Sequence, residues 1–389
     1  MFIMKRRVLF VIDSLGCGGA EKSLVSLLPL LDHERLDIDL LIVSRGGVFE
    51  QYVPKHVRFI SLPHPEGISK LRSLFSGLCL SFSLAIRRIL PRQRHGSELF
   101  WTAMRSSMMP LEDTYDVAVA YHQGLPTYYV AEKVKAARKC AVVNSDLKQA
   151  GYSESFNRPF YDCFDIVAAD SEILRKMLEA SSYADSSKLT AIYDIMNSTL
   201  IRRMAAEGGF EDEIPAGALR IVTTGRIEAP KNYTLAVETA KRLRDSRLSF
   251  RWYFIGDGSQ RKMIERLIET YGLGEHVVLL GMQPNPYPYM AQCDMYVQTS
   301  SFEGYCLALC EARILHRPVV STNFDVVYDK IRDGENGLIA EMTPESLAEK
   351  ILRLACSPEL RQRLIDATRR DEDRTAETES AKFNEMLLS

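Results

Sequence analysis

Short apolar segments alternate with helical segments along the chain, and this alternation limits the folds that the sequence can adopt. Apolar runs of this length, each followed by a helical pattern, are typical of strands buried in a parallel sheet between two layers of helices. The sequence therefore predicts an α/β fold with doubly wound parallel sheets. In the first half the predicted strands are Val8–Ile12, Ile38–Val43, Val57–Ser61, Val117–Tyr121, Cys140–Asn144 and Ile166–Ala169. In the second half they are Arg220–Thr224, Trp252–Gly256, Val277–Leu280, Met295–Thr299 and Pro318–Ser321.

The alternation is interrupted once, at the acidic, glycine-bearing segment Glu207–Gly217. Such a segment is typical of a linker, and 389 residues are enough for two domains of ordinary size. We therefore predict two Rossmann-like domains, at residues 1–205 and 206–370, facing each other across a cleft. A C-terminal helix in residues 371–389 is predicted to cross back to the first domain.

The charge balance argues against nucleic acid as the main partner, because the net charge is only −2. Residues 1–205 carry 26 Lys and Arg against 22 Asp and Glu, a net of +4. Residues 206–389 carry 23 against 29, a net of −6. A mildly basic first half fits an anionic surface or an anionic acceptor.

The eight cysteines show no C-x-x-C spacing, which favours a reduced, cytosolic protein over a disulfide framework or a zinc site. The N-terminus resembles a secretory signal because basic residues precede an apolar run. That run, Val8–Ile12, is too short for the apolar core of a signal peptide, so it is interpreted as the first buried strand.

The segment 71–94 departs from this pattern, since its apolar residues are flanked by arginines. Only 14 residues separate Arg72 from Arg87, fewer than the roughly 20 that a membrane span needs. The segment predicts either a helix lying in the membrane surface or a core helix packed on the sheet.

Two glutamates, Glu303 and Glu311, frame a stretch that follows the predicted strand Met295–Thr299 and opens a helix. Gly304 falls at the strand-to-helix turn, where backbone N–H groups lack intrahelical partners and suit an anion such as a pyrophosphate. Carboxylates accept hydrogen bonds from the hydroxyl groups of sugars and riboses. The alternative is a solvated helix that carries two surface acids.

The first loop, residues 13–22, carries Gly16, Gly18 and Gly19, which permit tight turning and close approach of a ligand to the backbone. A dinucleotide fingerprint and a P-loop both require glycine at position 21, where this chain has Glu21. A generic phosphate or acceptor loop remains as the interpretation.

The loop after the predicted strand Arg220–Thr224 carries two cations, Arg226 and Lys231, near the carboxyl end of the sheet. Ligands bind at this edge in open α/β sheets, and two fixed cations suit a diphosphate. The alternative is a pair of scattered surface cations. Gly256 and Gly258 form a further glycine-bearing turn at the same edge.

Taken in order, Gly-Gly-Ala-Glu, Gly-Arg-x₄-Lys, Gly-Asp-Gly and Glu-x₇-Glu resemble the motifs of the family 4 retaining glycosyltransferases, also called glycosyl transferases group 1. The resemblance covers nearly the whole chain and is most specific in residues 220–340. It implies the glycosyltransferase B architecture, with an acceptor-binding first domain and a donor-binding second domain. It also implies metal-independent chemistry without a cofactor, in which a nucleoside diphosphate sugar is the co-substrate.

The resemblance also implies roles for individual residues. Arg226 and Lys231 would bind the donor diphosphate, Glu303 would accept hydrogen bonds from the transferred sugar, and Glu311 would hold the ribose. The expected donor-binding positions are Gly18, Gly19, Gly256, Gly258, Met282, Gly304, Tyr305, Cys306 and Leu307. The expected donor is a UDP-sugar, and the expected acceptor is a glycan or a lipid-linked sugar in surface or capsular polysaccharide synthesis.

The chain departs from the family pattern at Asn144, where relatives often carry a histidine. His122, at the end of the preceding strand, is a candidate substitute in catalysis; the alternative is a packed or surface histidine. Cys306 stands where a small residue or a proline is common, so its backbone is expected to matter. A nucleotide-sugar epimerase or phosphorylase of the same architecture, or a silent nucleotide-sugar-binding partner, remain as alternatives.

Overall fold

The computed structural model describes residues 4–16, 18–63, 95–303, 305–371 and 375–389. It divides into two compact units. Unit 1 comprises Met1–Met196 and Thr375–Ser389, and unit 2 comprises Asn197–Arg374. Each unit contains one sheet of parallel strands with helices between them, so the predicted α/β class is confirmed.

The sheet of unit 1 has seven strands in the order β3-β2-β1-β4-β5-β6-β7. In chain order they are β1 Arg6–Ile12, β2 Leu36–Ile42, β3 Arg58–Ile60, β4 Thr114–Ala120, β5 Lys135–Val143, β6 Ile166–Ala169 and β7 Leu189–Ala191. Among the described residues, the α-helices of unit 1 are Gly19–Leu27, Gly96–Met104, Leu125–Lys133, Glu154–Tyr161, Glu172–Glu179 and Thr375–Leu388.

Strand β1 shows why the apolar runs form this sheet. Its central residues are fully buried although they point alternately to the two faces, as expected when helices cover both faces. Leu9 and Val11 lie in the same core cluster as Trp101 and Tyr128. Strands β2 and β4 flank β1, so the strand order changes direction between β1 and β4.

The sheet of unit 2 has six strands in the order β10-β9-β8-β11-β12-β13. They are β8 Leu219–Thr224, β9 Phe250–Ile255, β10 Val277–Gly281, β11 Met295–Gln298, β12 Val319–Thr322 and β13 Leu338–Ala340. The helices of unit 2 are Ser198–Ala205, Tyr233–Asp245, Arg261–Thr270, Tyr287–Gln292, Leu307–Ile314, Pro344–Cys356 and Pro358–Arg370. Here the order changes direction between β8 and β11.

The division between the units lies earlier in the chain than the predicted domain boundary at 205/206. The helix Ser198–Ala205 belongs to unit 2, where the Asn285 side chain donates to the Met204 carbonyl oxygen at 2.8 Å. The predicted linker is also part of unit 2, because the ring of Phe210 packs against Tyr253 with centroids 4.4 Å apart. The acidic, glycine-bearing segment Glu207–Gly217 is therefore a loop that packs on the sheet of unit 2.

The C-terminal helix Thr375–Leu388 belongs to unit 1. Asn384 accepts a hydrogen bond from the Asp32 backbone N–H at 2.8 Å, and Glu379 accepts one from the Tyr193 N–H at 2.9 Å. The rings of Phe383 and Tyr121 stack with centroids 5.9 Å apart. The end of the chain is thus built into the core of the unit that contains its beginning.

No helix within the described residues is both long enough and apolar enough to cross a membrane. The segment 71–94, for which the sequence predicts a surface or a core helix, lies outside the described residues.

Candidate active site

The carboxyl edge of the unit 2 sheet holds the candidate site, at the point where the strand order changes direction. Strands β8 and β11 are neighbours; the next strand in the chain lies on one side of this pair after β8 and on the other side after β11. Ligands of open α/β sheets bind at such a position. The loop after β8 carries Arg226 and Lys231, and the loop after β11 carries Glu303. The topology therefore places the predicted residues at one point of the sheet.

Two hydrogen bonds to backbone carbonyl groups tie these loops together. The Ser301 N–H donates to the Pro230 carbonyl oxygen, and the Thr299 hydroxyl donates to the Lys231 carbonyl oxygen, both at 2.8 Å. The Lys231 ammonium then donates to Glu303 Oε1 at 2.6 Å. The side chain of Lys231 is 22% exposed and that of Glu303 is 10% exposed, so this ion pair is largely withdrawn from water but open on one side.

The Glu303 carboxylate is held by neutral donors as well as by the cation. Its Oε1 also accepts hydrogen bonds from the Gln298 amide, at 2.8 Å, and from the Ser300 hydroxyl. The Gln298 side chain is oriented by Tyr296, whose hydroxyl donates to Gln298 Oε1 at 2.6 Å. Three donors on one oxygen fix the carboxylate as a preorganised negative group.

Sequence reasoning missed Gln298, Ser300 and Tyr296. A signal for one of them was present, because Gln298 is a polar residue at the end of an otherwise apolar strand and is only 1% exposed. A buried amide needs hydrogen-bond partners, and here its partners lie on the candidate active-site carboxylate.

The second predicted cation is placed differently. Arg226 is exposed on the loop after β8, and its guanidinium makes no ion pair with Glu303 among the described residues. The structure therefore brings Lys231, but not Arg226, into contact with the carboxylate.

The glycines at this edge are required by packing between loops. A Cβ on Gly256 would lie 1.9 Å from the Gly225 carbonyl oxygen, and one on Gly258 would lie 2.4 Å from that of Ile227. Gly225 and Gly256 also have φ values of 146°, which favour glycine. The close approach of the loop after β9 to the loop after β8 therefore explains why glycine stands at positions 256 and 258. Contact of Gly256 and Gly258 with a donor stays a prediction.

The helix Leu307–Ile314 begins at the site and directs its N-terminal N–H groups toward the carboxyl edge, where they favour negative charge. Its N-cap residue, Cys306, has φ 61° and ψ 58°, and its side chain is buried. Burial, and then the neighbouring Glu303, raise the pKa of the Cys306 thiol well above its usual value. The thiol therefore stays protonated and is not available as a thiolate nucleophile. Gly304 lies outside the described residues.

Two more expected donor contacts, Tyr305 and Met282, lie in loops after β11 and β10. Tyr305 precedes Cys306, and the Lys330 ammonium lies 3.6 Å from the centroid of its ring. Met282 follows β10 at the same edge of the sheet and is 62% exposed, an unusual exposure for a large apolar side chain. An apolar surface of this kind suits a flat ring.

Glu311, about one turn into the helix, is buried and 3% exposed. Its Oε1 accepts a hydrogen bond from the Tyr287 hydroxyl at 2.8 Å. Burial, and then the charge of Glu311, raise the pKa of Tyr287 well above its usual value, so the phenol stays a donor. Tyr287 thus fixes the orientation of the Glu311 carboxylate.

The remaining predicted residues lie in unit 1, again where the strand order changes direction. His122 follows β4 and Asp13 follows β1; His122 Nδ1 lies 2.9 Å from Asp13 Oδ2. Gly18 is the N-cap of the helix Gly19–Leu27, and a Cβ there would lie 2.1 Å from a carboxylate oxygen of Glu21. The Glu21 carboxylate is the end of a flexible side chain, so this contact alone does not require a glycine, and the predicted contact of Gly18 with a donor stays a prediction.

Asn144, at the position where a histidine was expected, is buried at both polar side-chain atoms, and neither has a hydrogen-bond partner among the described residues. Its backbone N–H donates to Gln123 Oε1 at 2.9 Å. Across the residues that the structure describes, no group of three or more His, Cys, Asp or Glu side chains is placed to hold a metal ion.

Comparison with known families places this site in context. Residues 209–371 match the family model described as glycosyl transferases group 1. The matched segment includes Lys231, Glu303 and the helix Leu307–Ile314. The resemblance to group 1 glycosyl transferases is thereby confirmed.

Two relatives show how far the likeness extends. The lipopolysaccharide core biosynthesis glycosyltransferase LpsE of Rhizobium meliloti is 30% identical over 173 residues, which cover 44% of this chain and 50% of the relative. The Campylobacter jejuni N-acetylgalactosamine-N,N'-diacetylbacillosaminyl-diphospho-undecaprenol 4-alpha-N-acetylgalactosaminyltransferase is 23% identical over 342 residues, covering 86% of each chain. The aligned part thus spans half of the first relative and most of the second.

Solved structures show the same fold over nearly the whole chain. Anabaena Alr3699/HepE, in complex with UDP and glucose, is similar with a TM-score of 0.67 at 16% identity, covering 98% of this chain and 99% of that one. A mutant of S. aureus TarM, in complex with fondaparinux, alpha-GlcNAc-glycerol and UDP, has a TM-score of 0.65 at 14% identity, covering 99% and 100%. The chain therefore has the glycosyltransferase B fold.

Proposed function

Because residues 209–371 match the glycosyl transferases group 1 model, we propose that the protein is a family 4 retaining glycosyltransferase that uses a UDP-sugar. Its acceptor is a glycan or a lipid-linked sugar in surface or capsular polysaccharide synthesis. LpsE belongs to lipopolysaccharide core biosynthesis, the Campylobacter relative acts on a diphospho-undecaprenol-linked sugar, and the HepE complex contains UDP and glucose. These three proteins support the acceptor class and the donor that we propose here.

The observation that carries the proposal is the contact between Lys231 and Glu303 where the strand order of unit 2 changes direction. When a sugar–diphosphate bond breaks, negative charge develops on the diphosphate and positive charge on the sugar. A cation and an anion held at this point can stabilise these two charges. Lys231 neutralises the departing diphosphate, and Glu303 stabilises positive charge on the sugar and accepts hydrogen bonds from its hydroxyl groups.

The rest of the site completes the donor-binding surface. The N-terminal N–H groups of the helix Leu307–Ile314 and the exposed Arg226 add positive potential for the diphosphate. Glu311, oriented by Tyr287, accepts hydrogen bonds from the ribose, and Met282 packs against the base. The exposure of Arg226 leaves its guanidinium able to turn toward the phosphates once they bind.

Transfer proceeds with retention by internal return. The bond between the anomeric carbon and the diphosphate oxygen breaks, and the acceptor oxygen forms a new bond to that carbon on the same face. The acceptor proton passes to the departing phosphate oxygen, so the products are the glycosylated acceptor and the protonated nucleoside diphosphate. In this scheme Glu303 is an electrostatic and positioning group.

The proposal assigns the neutralisation of the diphosphate to side-chain cations and backbone N–H groups, and so it includes no metal cofactor. Localisation is proposed as cytoplasmic, on the cysteine pattern, with contact at the inner membrane face through residues 71–94. Vesicle sedimentation of the full chain with anionic lipid tests that last contact.

The experiment that tests the function is a thermal-shift screen with UDP, GDP, ADP and their sugars, with and without EDTA. Ligand at 100 times its Kd stabilises the folded state by about 2.7 kcal/mol, which is easily measured. We expect stabilisation by UDP and a UDP-sugar that EDTA does not change, and loss of this shift in Lys231→Ala. A shift that EDTA abolishes would contradict metal-independent binding, and no shift with any nucleotide would contradict the proposed nucleotide-sugar donor.

A further inference from the structure

A series of hydrogen bonds at the carboxyl edge of the unit 1 sheet runs from Asn144 through Gln123 and His122 to Asp13. The Asn144 backbone N–H donates to Gln123 Oε1 at 2.9 Å. The Gln123 side-chain nitrogen lies 3.2 Å from His122 Nε2, and His122 Nδ1 lies 2.9 Å from Asp13 Oδ2. We call these three links the imidazole relay.

The relay determines which nitrogen of His122 carries the proton. A backbone N–H can only donate, so it fixes the Gln123 carbonyl oxygen on the side of Asn144 and the NH₂ group on the side of His122. The NH₂ group donates, so His122 Nε2 must accept with its lone pair. His122 Nδ1 then carries the hydrogen and donates it to the Asp13 carboxylate.

We propose that Asp13 and Gln123 are positioning residues that hold His122 as the neutral Nδ1–H tautomer, with the Nε2 lone pair presented to a substrate hydroxyl group. This inference rests on the proposed function, in which the donor sugar and the acceptor both carry hydroxyl groups. The two residues act through the imidazole and need not touch the substrate.

The Gln123 amide is arranged so that a ligand can replace it at His122. One of its hydrogens is already directed to the Ser145 hydroxyl oxygen at 2.9 Å, and the contact with His122 Nε2 is longer, at 3.2 Å. A substrate O–H can therefore take the position at Nε2 while the other contacts of Gln123 remain. His122 is about one-third exposed, so the ring edge is accessible to a ligand.

The position of the relay supports a role in binding. His122 and Asp13 follow β4 and β1, the two strands between which the strand order of unit 1 changes direction. The Lys231–Glu303 contact occupies the equivalent position in unit 2. A histidine held by a carboxylate at such a position is better suited to meet a ligand than a histidine elsewhere on the surface.

Nitrogen-15 NMR of the histidine side chains in the full chain measures the tautomer directly and does not depend on activity. The chain has seven histidines, and the signal of His122 is identified as the one that disappears in His122→Gln. We expect His122 to show a protonated Nδ1 and an unprotonated Nε2 at neutral pH. In the double variant Asp13→Asn/Gln123→Ala, we expect a shift toward the Nε2–H tautomer that histidine prefers in water. A protonated Nε2 in the unmodified protein would overturn the proposal.

A double-mutant cycle then tests whether Asp13 acts through His122. We expect Asp13→Asn to lower kcat on the order of tenfold with little change in the donor KM, and to have no further effect when His122 is already alanine. Effects that multiply in the double variant would show that Asp13 acts independently of the imidazole, and would overturn the proposal.

The matched control is Asp146→Asn, which changes a carboxylate in a neighbouring loop that caps the Lys148 and Gln149 N–H groups and does not contact His122. It should leave both the His122 spectrum and kcat unchanged. If no donor supports transfer, the proposed function fails while the spectrum still decides whether the relay exists. The two failures are therefore distinguishable.

Discussion

At the scale of single residues, Lys231 and Glu303 show how an ion pair can serve both the folded state and a substrate. Without a ligand each neutralises the other, so the carboxylate that is only 10% exposed is not left as an unpaired charge. In the proposed function a bound diphosphate gives Lys231 a second anionic partner, while Gln298 and Ser300 remain as donors to Glu303.

Lys231→Ala is expected to lower transfer by about 10²–10³-fold, because the departing diphosphate loses a fixed cation. Steady-state kinetics measures the effect, and circular dichroism checks that the fold is intact. Glu303→Ala should lower turnover by a similar factor. Lys262→Ala, an exposed lysine of the same unit, is the control and should keep normal activity. Full activity in either site variant would contradict the site assignment.

Asn144→Leu is expected to raise the free energy of unfolding by about 1 kcal/mol, because it replaces a buried carboxamide, unpartnered among the described residues, with an apolar group of similar shape. Asn197 is the matched control. Its side chain accepts from the Leu200 N–H at a helix N-cap, so Asn197→Leu should lower stability by about 1 kcal/mol. Urea unfolding measures both, and a destabilising Asn144→Leu would show that the carboxamide has a partner.

At the scale of elements, strand β11 combines a core face with a polar column that ends at the site. Met295 and Val297 lie in the unit 2 core, whereas Tyr296 and Gln298 on the other face form hydrogen bonds that lead to Glu303. The alternation of side chains along a strand allows one short element to do both.

Gln298→Leu tests whether Gln298 affects turnover separately from the stability of the fold. Glu303 loses one donor, so kcat should fall about tenfold. The buried Tyr296 hydroxyl loses Gln298 Oε1 as its acceptor and keeps the Thr224 hydroxyl, at 3.2 Å, so stability should fall by about 1 kcal/mol. Adding Tyr296→Phe removes the hydroxyl that lost this acceptor and should restore part of the stability but not the turnover. Recovery of both would show that Gln298 acts only through stability.

At the scale of the whole molecule, an acidic pair in unit 1, Asp170 and Asp194, is expected to couple folding to pH. Asp194 is 7% exposed. Burial, and then the neighbouring Asp170, raise the pKa of Asp194 to about 8. Burial likewise raises the pKa of Asp170 to about 6. Below these values a proton in the folded state relieves the repulsion between the two carboxylates.

The free energy of unfolding is therefore expected to fall as pH rises from about 4 to about 8. In that window the folded state holds protons that the unfolded aspartates, with pKa near 3.9, have released. Asp194→Asn should flatten this dependence and raise stability at pH 8. Asp185, whose pKa is lowered mainly by the Ser187 N–H, is the control, since Asp185→Asn removes a contribution of the opposite sign. Unfolding curves at several pH values measure both, and an unchanged pH dependence in Asp194→Asn would contradict the assignment.

The sequence alone determined the architecture, because most of the predicted strands are apolar runs whose central residues are buried in the sheets. All eleven predicted strands are present, with ends that agree within five residues. Two were missed, Leu189–Ala191 and Leu338–Ala340, which are three-residue edge strands. Runs that short carry no periodicity from which a strand can be predicted.

The sequence also predicted that Glu303, Lys231 and the helix start that follows Glu303 lie at the carboxyl edge of the second sheet, because each belongs to a local motif at the end of a strand. Only the tertiary structure decided that Lys231 contacts Glu303 across 72 residues, that Gln298 and Tyr296 orient that carboxylate, and that Asp13 holds His122. It also showed that Gly256 and Gly258 are required by neighbouring backbones. Local periodicity and motifs are properties of adjacent residues, whereas these contacts depend on which strands become neighbours in the folded sheet.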